Sequence, residues 1–487
     1  MSADDIVQVK RLRTIDELRA RLEALGIAGQ LGVDDDVDPV GPLAAPFTVT
    51  DGSAGSLTVG NRFAVLPMEG WDGELDGRPT DLVRRRWRRF GESGAKLIWG
   101  GEAVAVVHDG RANPRQLVID RSTIDDLRRL RAELVDAHIS AHGSDDGLVV
   151  GLQLTHSGRW SRPDGESHPR VAYHHPVLDQ RVAVDVTVVL SDDELDALVE
   201  TYADAAVLAA DAGFDFVDVK HCHGYLLHEL LSARDRPGAY GGSFEHRTAF
   251  LRRVADRLRA RTPQLAVGVR VSAYDFVPYE AGPDDVGVPV DDASALARFA
   301  FGAAASGTAH DLADAHCFLE LCRELGIGMV CITAGSPYYN PHIQRPAFFP
   351  PSDGYAPPED PLIGAARMIA ATAELAHAHP DVAIVGSGYS YLQQWLPNAA
   401  QHTVRTGGAA AIGIGRGMLS YPHLPADVLA GRTLDASRLC RTFSDCTTAP
   451  RNGLVSGCYP LDDFYKDSPE RIELAAVKKA TRKRTRR

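Results

Sequence analysis

Apolar residues fall along this chain in eight short runs separated by stretches of helical spacing. The runs cover 62–68 (RFAVLPM), 96–106 (KLIWGGEAVAV), 148–156 (LVVGLQLTH), 214–221 (FDFVDVKH), 265–273 (LAVGVRVSA), 327–334 (IGMVCITA), 382–386 (VAIVG) and 409–415 (AAAIGIG). They are nearly continuous rather than strictly alternating, the pattern of strands buried on both faces of a parallel sheet. Helical periodicity fills 80–91, 122–138, 191–212, 245–261, 310–325 and 361–379. Ser191 followed by Glu194 has the spacing of a capping box. Eight strands, each followed by a helix, predict an α/β fold of the (β/α)8 TIM-barrel type. An open, doubly wound sheet is the rival arrangement.

The barrel is expected over 46–435, after an N-terminal extension over 1–45. Residues 47–63 read as a hairpin turning at Asp51–Gly52, placed to plug the barrel bottom. Residues 275–309, rich in Gly, Asp and Ala, form a long loop after the fifth strand, of the kind that serves as a lid or binding loop. A C-terminal extension covers 436–487, and no internal repeat is found.

Charge narrows the function. The net charge of the 487 residues is −13, yet the last ten carry seven basic side chains, so the body holds about −20. An acidic body argues against nucleic acid as a partner. The basic end reads as a disordered solubility tail rather than a docking site. No apolar run approaches membrane-spanning length, and the first 30 residues lack the pattern of a signal peptide. Seven scattered cysteines fit a reducing cytoplasm.

In a barrel of this kind the chemistry sits where strands end, so those positions are the ones to read. The last two ends are GSGYS (386–390) and GIGRG (413–417). Their glycines let backbone N–H groups approach an anion, and Arg416 adds a charged donor. Both loops point to phosphate binding. The fourth strand ends in KHCHGYLLHELL, which gathers Lys220, His221, His223, Tyr225 and His228. The spacing does not suit zinc, so this cluster reads as donors around a polar or anionic group, with Tyr225 a proton donor. The third strand ends in QLTHSGR, where Gln153 can both donate to and accept from a heterocycle edge and His156 and Arg159 follow. Arg270 lies inside the apolar fifth strand and needs an anionic partner. Tyr338 and Tyr339 follow the sixth strand, either stacking on substrate or a cofactor or serving as ordinary loop aromatics, and Trp71 and Trp99 are open to the same two readings, with core packing favoured.

Pro67–Met68, QLTHSGR, HGYLLHELLS with YGGSFEHR, the strand residue Arg270 and GIGRGMLSYPHLP, in this order, resemble the old yellow enzyme family of flavin-dependent ene-reductases over about 45–430. The resemblance implies FMN on the C-terminal face of the barrel and NAD(P)H as reductant. Pro67, Met68 and the backbone of Ala103 would lie along the flavin. Gln153 would bond its pyrimidine edge and Arg270 its N1–O2 side. Gly386, Gly388, Gly415 and Arg416 would hold the phosphate. Tyr225 would protonate the substrate carbon opposite hydride transfer. The resemblance also implies a dimer or larger homo-oligomer.

Three positions depart from that pattern. Lys220 stands where a histidine usually helps His223 hold the substrate carbonyl, and either binds a carboxylate or enolate or pairs with a nearby acid. Glu69 follows Pro-Met where Thr or Cys is usual, and turns away, binds Lys220 or acts as a base. Larger relatives of the dienoyl-CoA reductase and trimethylamine dehydrogenase types carry a four-cysteine iron–sulfur site near the C-terminus. Here Cys440, Cys446 and Cys458 resemble a remnant of that set, one thiolate short of a 4Fe-4S cluster; an intact cluster and a zinc or disulfide role are the alternatives, and no metal is expected. The expected reaction is reduction of an activated C=C bond in a small carbonyl or carboxyl compound. Flavin-dependent oxidation of the amine dehydrogenase or demethylase type is an alternative. A flavin-free phosphate-binding barrel lyase, with Lys220 as a Schiff-base residue, is another.

Overall fold

The computed structural model describes residues 6–52 and 54–484. Eight parallel strands close into a barrel: β1 (Phe63–Val65), β2 (Leu97–Ile98, resuming at Ala103–Ala105), β3 (Val149–Thr155), β4 (Phe216–Val219), β5 (Ala266–Tyr274), β6 (Met329–Ala334), β7 (Ala383–Gly386) and β8 (Ala411–Ile414). Each pairs with the next, and β8 returns to β1. The barrel predicted from the eight apolar runs is therefore the fold, and the open sheet is excluded by closure.

The 96–106 run is not one strand. Gly100 and Gly101 have φ of 154° and 59° and break it. The Gly101 carbonyl leaves the sheet to accept from Met68 N–H at 2.8 Å. The outer ring holds α1 (Asp81–Gly91), α2 (Ile124–His142), α3 (Asp192–Asp211), α4 (Ala249–Arg261), α5 (Ala313–Glu324), α6 (Pro361–Ala378) and α7 (Leu396–Arg405). The Ser191–Glu194 capping box forms at the start of α3. The 245–261 stretch divides at Thr248 into a short turn of helix and α4. Helix α7 is not among the predicted stretches, because Pro397 and its polar residues blur the apolar period; Pro397 is accommodated in the first turn.

Strand alternation decides what faces inward. Val217 and Val219 of β4 and Val267, Val269 and Val271 of β5 pack outward with the helices. Phe216 and Ala266 pack inside with Trp99, Met329, Val385 and Ala411. By the same two-residue period, Gln153, Asp218, Lys220 and Arg270 point to the barrel interior. A side chain at Gly151 would run into the Phe216 ring, its Cβ 2.2 Å from the ring edge, so glycine there makes room for the bulky residue.

An antiparallel hairpin, Phe47–Asp51 with Gly55–Val59, precedes β1. It sends Phe47, Val49 and Val59 into the inner cluster and so closes one end of the barrel. Ser53, at its tip, lies outside the described residues. The segment 275–309 forms a two-stranded ribbon (Tyr279–Ala281 with Gly287–Pro289) and short helical turns. The C-terminal extension adds helices Asp445–Arg451, Asp463–Lys466 and Glu470–Arg484. The tail expected to be disordered thus begins as helix. Leu474 packs with Tyr459 and Tyr465, and Lys478 Nζ donates to Asp445 Oδ1 at 2.5 Å. Residues 485–487 of the tail lie outside the described residues. Among the described residues no helix is long and apolar enough to cross a membrane.

Candidate active site

One cleft opens at the C-terminal ends of the strands. Its walls come from the ends of β1 (Pro67, Met68, Glu69, Trp71), β4 (Lys220, His223, Tyr225), β5 (Arg270), β6 (Thr333, Tyr338, Gln344, Arg345), β7 (Ser387, Gly388) and β8 (Gly415, Arg416). The C-terminal extension completes it with Cys446, Thr447, Pro450 and Arg451.

The loop after β4 is tightly kinked. His223 and Gly224 take φ of 67° and 77° in succession. A Cβ at Gly224 would meet Tyr339 and Ser336 within 3 Å. A left-handed histidine is costly and persists only where its surroundings fix it. Here His223 N–H donates to Ser272 Oγ (3.1 Å), Ser336 Oγ donates to the His223 carbonyl (2.9 Å), and Gly224 N–H donates to His228 Nδ1 (2.9 Å). The turn delivers His223 and Tyr225 to the cleft. His221 and His228 do not reach it: His221 packs on Phe318, and His228 is spent on the turn.

Glu69, Lys220, Tyr225 and Tyr338 form a chain of contacts. Glu69 Oε1 accepts from Trp71 Nε1 at 2.6 Å. Its other oxygen accepts from Tyr225 Oη at 3.3 Å and lies 3.9 Å from Lys220 Nζ. Lys220 sits 4.0 Å from the Tyr225 ring centroid. The hydroxyls of Tyr225 and Tyr338 are 3.2 Å apart. Burial raises the Glu69 carboxyl against the opposing pull of Lys220. Burial, then the Glu69 charge, push the Tyr225 phenol well up. Burial, then Arg270 and Lys220, hold His223 well below the ordinary histidine range, so it is neutral. Of the readings open for Lys220 and Glu69, the structure has the two paired with each other.

Deeper in the barrel, Asp218 Oδ2 accepts from Gln153 Nε2 (2.6 Å) and Trp99 Nε1 (2.7 Å), and Oδ1 accepts from Arg270 N–H (2.7 Å). Burial lifts its carboxyl to about 6. Gln153 is therefore behind the cleft wall, tied by its amide nitrogen to Asp218. Ala103 is also behind it, and its carbonyl accepts from Gln116 Nε2 at 3.1 Å. Gly386 stands one residue behind Ser387 and Gly388. Its carbonyl would lie 2.5 Å from a Cβ at Gly413, so β7 and β8 approach through glycine.

Tyr338 lines the cleft and stacks on Trp160 with centroids 4.3 Å apart. Tyr339, expected beside it, turns its hydroxyl to Asp275 instead. Arg159 joins Asp179 and Glu229 in a buried ion-pair group rather than facing the cleft. Trp99 is core, as expected, whereas Trp71 is a cleft residue. Cys446 reaches the cleft; Cys440 and Cys458 line a small recess behind it with Arg416. All three are free thiols, and among the described residues no group of three or more side chains is arranged to hold a metal.

Several cleft residues escape sequence reasoning. Arg345, Gln344 and Thr333 flank Tyr338 along the chain, but only Arg345, a cation with no acid near it in the sequence, carried a signal. Arg451, Thr447 and Cys446 come from an extension whose docking no local pattern announces.

The cleft suits an anionic group. Arg270 Nε, Arg345 Nε and Nη2, and Arg416 Nη1 are buried without a partner, and all belong to cleft residues. Burial and the neighbouring Arg416 lower the Arg345 guanidinium. A phosphate would relieve that repulsion and satisfy the idle donors. Gly388, Gly413 and Gly415 line the same cleft.

The profile of the NADH:flavin oxidoreductase / NADH oxidase family matches residues 43–298, just over half of the chain. The NADPH dehydrogenase of Bacillus subtilis (strain 168) is 30% identical over 240 residues, 48% of this chain and 64% of that one. Among solved structures, a 2-naphthoyl-CoA reductase superposes with TM-score 0.66 at 16% identity, over 87% of this chain and 57% of that one. An old yellow enzyme homologue from Zymomonas mobilis gives 0.55 at 20%, over 81% and 94%. The chain thus spans a little under two thirds of the Bacillus relative and somewhat over half of the reductase. The superposed structures share the (β/α)8 barrel of this chain. The chain belongs to the NADH:flavin oxidoreductase / NADH oxidase family, the old yellow enzyme family.

Proposed function

We propose that this protein binds FMN in the cleft and uses NAD(P)H to reduce an activated C=C bond of a small carbonyl or carboxyl compound. The observation that carries the reading is the set of idle, buried donors of Arg270, Arg345 and Arg416 in a cleft that also holds Tyr225 and His223. Gly388, Gly415, Arg416 and Arg345 would hold the phosphate, Pro67 and Met68 the ring system, and Arg270 its electron-rich edge. FMN, when bound, supplies the hydride chemistry.

The chain's own residues do the rest. Neutral His223 donates a hydrogen bond to the substrate carbonyl, where negative charge gathers as the alkene is reduced. Its Nε2 already has polar company in Thr333 Oγ1 and Gln344 Nε2, each at 3.4 Å, which sets the ring orientation. Tyr225 supplies a proton to the carbon next to that carbonyl. Trp71 and Tyr338 wall the cleft against water. Lys220, engaged by Glu69 and the Tyr225 ring, favours a neutral enone over a free carboxylate.

The test is spectroscopic. Purified protein should carry or take up FMN, bleach with NADPH or NADH in the absence of oxygen, and regain colour on addition of 2-cyclohexen-1-one. A protein that binds no flavin, or that bleaches with an amine and not with a nicotinamide, refutes the reading.

A further inference from the structure

Glu69 is a partly exposed acid at the cleft wall, assigned no part above in holding either flavin or substrate. One of its oxygens meets Tyr225 Oη at 3.3 Å and Lys220 Nζ at 3.9 Å. A tyrosine that gives up its proton in this site leaves a phenolate in a buried pocket, beside a carboxyl group. That product would be costly unless its charge moved on.

We propose that Glu69 reloads Tyr225 during alkene reduction, and that Lys220 balances the charge this leaves on Glu69. The inference rests on the reading above. In the step, the hydride carbon gains its C–H bond with two electrons from the nicotinamide by way of the flavin. The neighbouring carbon takes the Tyr225 proton: the phenol O–H breaks and a C–H forms. The Glu69 O–H then breaks and the Tyr225 O–H reforms. Negative charge ends on a carboxylate next to an ammonium instead of on a buried phenolate. Solvent entering the cleft returns a proton to Glu69 after product leaves.

The groups facing Glu69 support the direction of flow. Lys220, Cys222 and Tyr225 face it from the β4 end, and Tyr338 from the loop after β6. Lys220 is the only one that is cationic. Tyr338, 3.2 Å from Tyr225, is itself a phenol pushed up by burial and is a poorer proton source than a carboxylic acid. Burial also raises the Glu69 carboxyl, so it holds its proton to higher pH than an exposed glutamate. Glu69 and Lys220 thus act through Tyr225 as positioning residues.

The experiment is the pH profile of kcat for NADPH-driven reduction of 2-cyclohexen-1-one by FMN-loaded enzyme. Turnover should fall on one limb as pH rises and Glu69 loses its proton. Lys220→Met should move that limb to higher pH by about one unit or more, because losing the cation favours the protonated acid. Glu69→Gln should remove the limb and lower turnover on the order of 100-fold. Glu69→Asp should bring the limb back. In the flavin-free protein, the phenolate absorbance that Tyr225→Phe abolishes should appear at lower pH in Glu69→Gln, since the opposing charge is gone. A limb that survives in Glu69→Gln, or a Tyr225 phenol that does not respond to it, overturns the relay while alkene reduction stands. A loaded enzyme that never reduces an alkene overturns the relay together with the reading it rests on.

Discussion

Tyr339 Oη donates to the Asp275 carboxylate at 2.5 Å, a bond that turns this ring away from the cleft that its neighbour Tyr338 lines. Asp275 follows β5 and also accepts from Asn340 Nδ2 (2.6 Å) and Phe276 N–H (2.8 Å). The pair therefore ties the β5 and β6 loops together beneath the site. Tyr339→Phe should cost about 1–3 kcal/mol in urea unfolding, because it removes a partner from a buried carboxyl group. Tyr338→Phe should cost less, since its hydroxyl bonds only another hydroxyl in the cleft. Equal losses in the two variants would show that Asp275 is not a structural anchor.

The same carboxylate makes a pH prediction. Burial raises Asp275 from 3.8 to about 7. The folded protein then holds a proton that the unfolded chain releases, so this group's contribution is greatest in acid and is lost as pH rises through 7. Between about pH 4 and 7 the contribution should fall on the order of 1.4 kcal/mol per pH unit. Glu102 and Asp218, raised to about 7 and about 6, slope the same way. Comparison of wild type with Asp275→Asn isolates the one group. The difference between their unfolding free energies should change across this window, and a constant difference would remove Asp275 as its source.

The barrel was legible because strands buried on both faces leave uninterrupted apolar runs, and each polar residue inside a run then marks a functional or structural demand. Arg270 was readable on that logic, and so was the cluster from Lys220 to Tyr225. Asp218 obeys the same logic, but the apolar residues of FDFVDVKH mask its role of anchoring Gln153 and Trp99. What the sequence hid has a common cause: contacts across long separations. Arg345 and Arg451 meet in the cleft only because a C-terminal helix docks there. Likewise, Tyr338 and Tyr339 look equivalent until Asp275, 64 residues from Tyr339, claims the second.

Arg159 illustrates a different consequence of burial. It is fully buried, bonds Asp179 and Glu229, and donates to the Tyr173 carbonyl at 2.9 Å. Arg159→Ala strands two carboxylates and should cost about 3–5 kcal/mol. Arg257 pairs with Glu200 on the surface with both side chains about half exposed. Arg257→Ala should cost no more than about 1 kcal/mol. Chemical denaturation of both variants separates the cases; similar losses would mean that the buried group is not an ion-pair hub.

The idle guanidinium donors make the sharpest prediction about ligand. If Arg345 and Arg416 grip a phosphate, their value should depend on the phosphate being there. Arg416→Ala should weaken FMN binding roughly tenfold to a hundredfold, the usual worth of a charged hydrogen bond, and Arg345→Ala should act in the same direction. Riboflavin has the same ring system and no phosphate, so its affinity should not follow. Fluorescence quenching of the two flavins by wild type and both variants gives the comparison directly. A parallel loss of FMN and riboflavin would place these arginines against the ring or in the scaffold. A loss confined to FMN would assign the two arginines, from the β6 and β8 loops, to one anion.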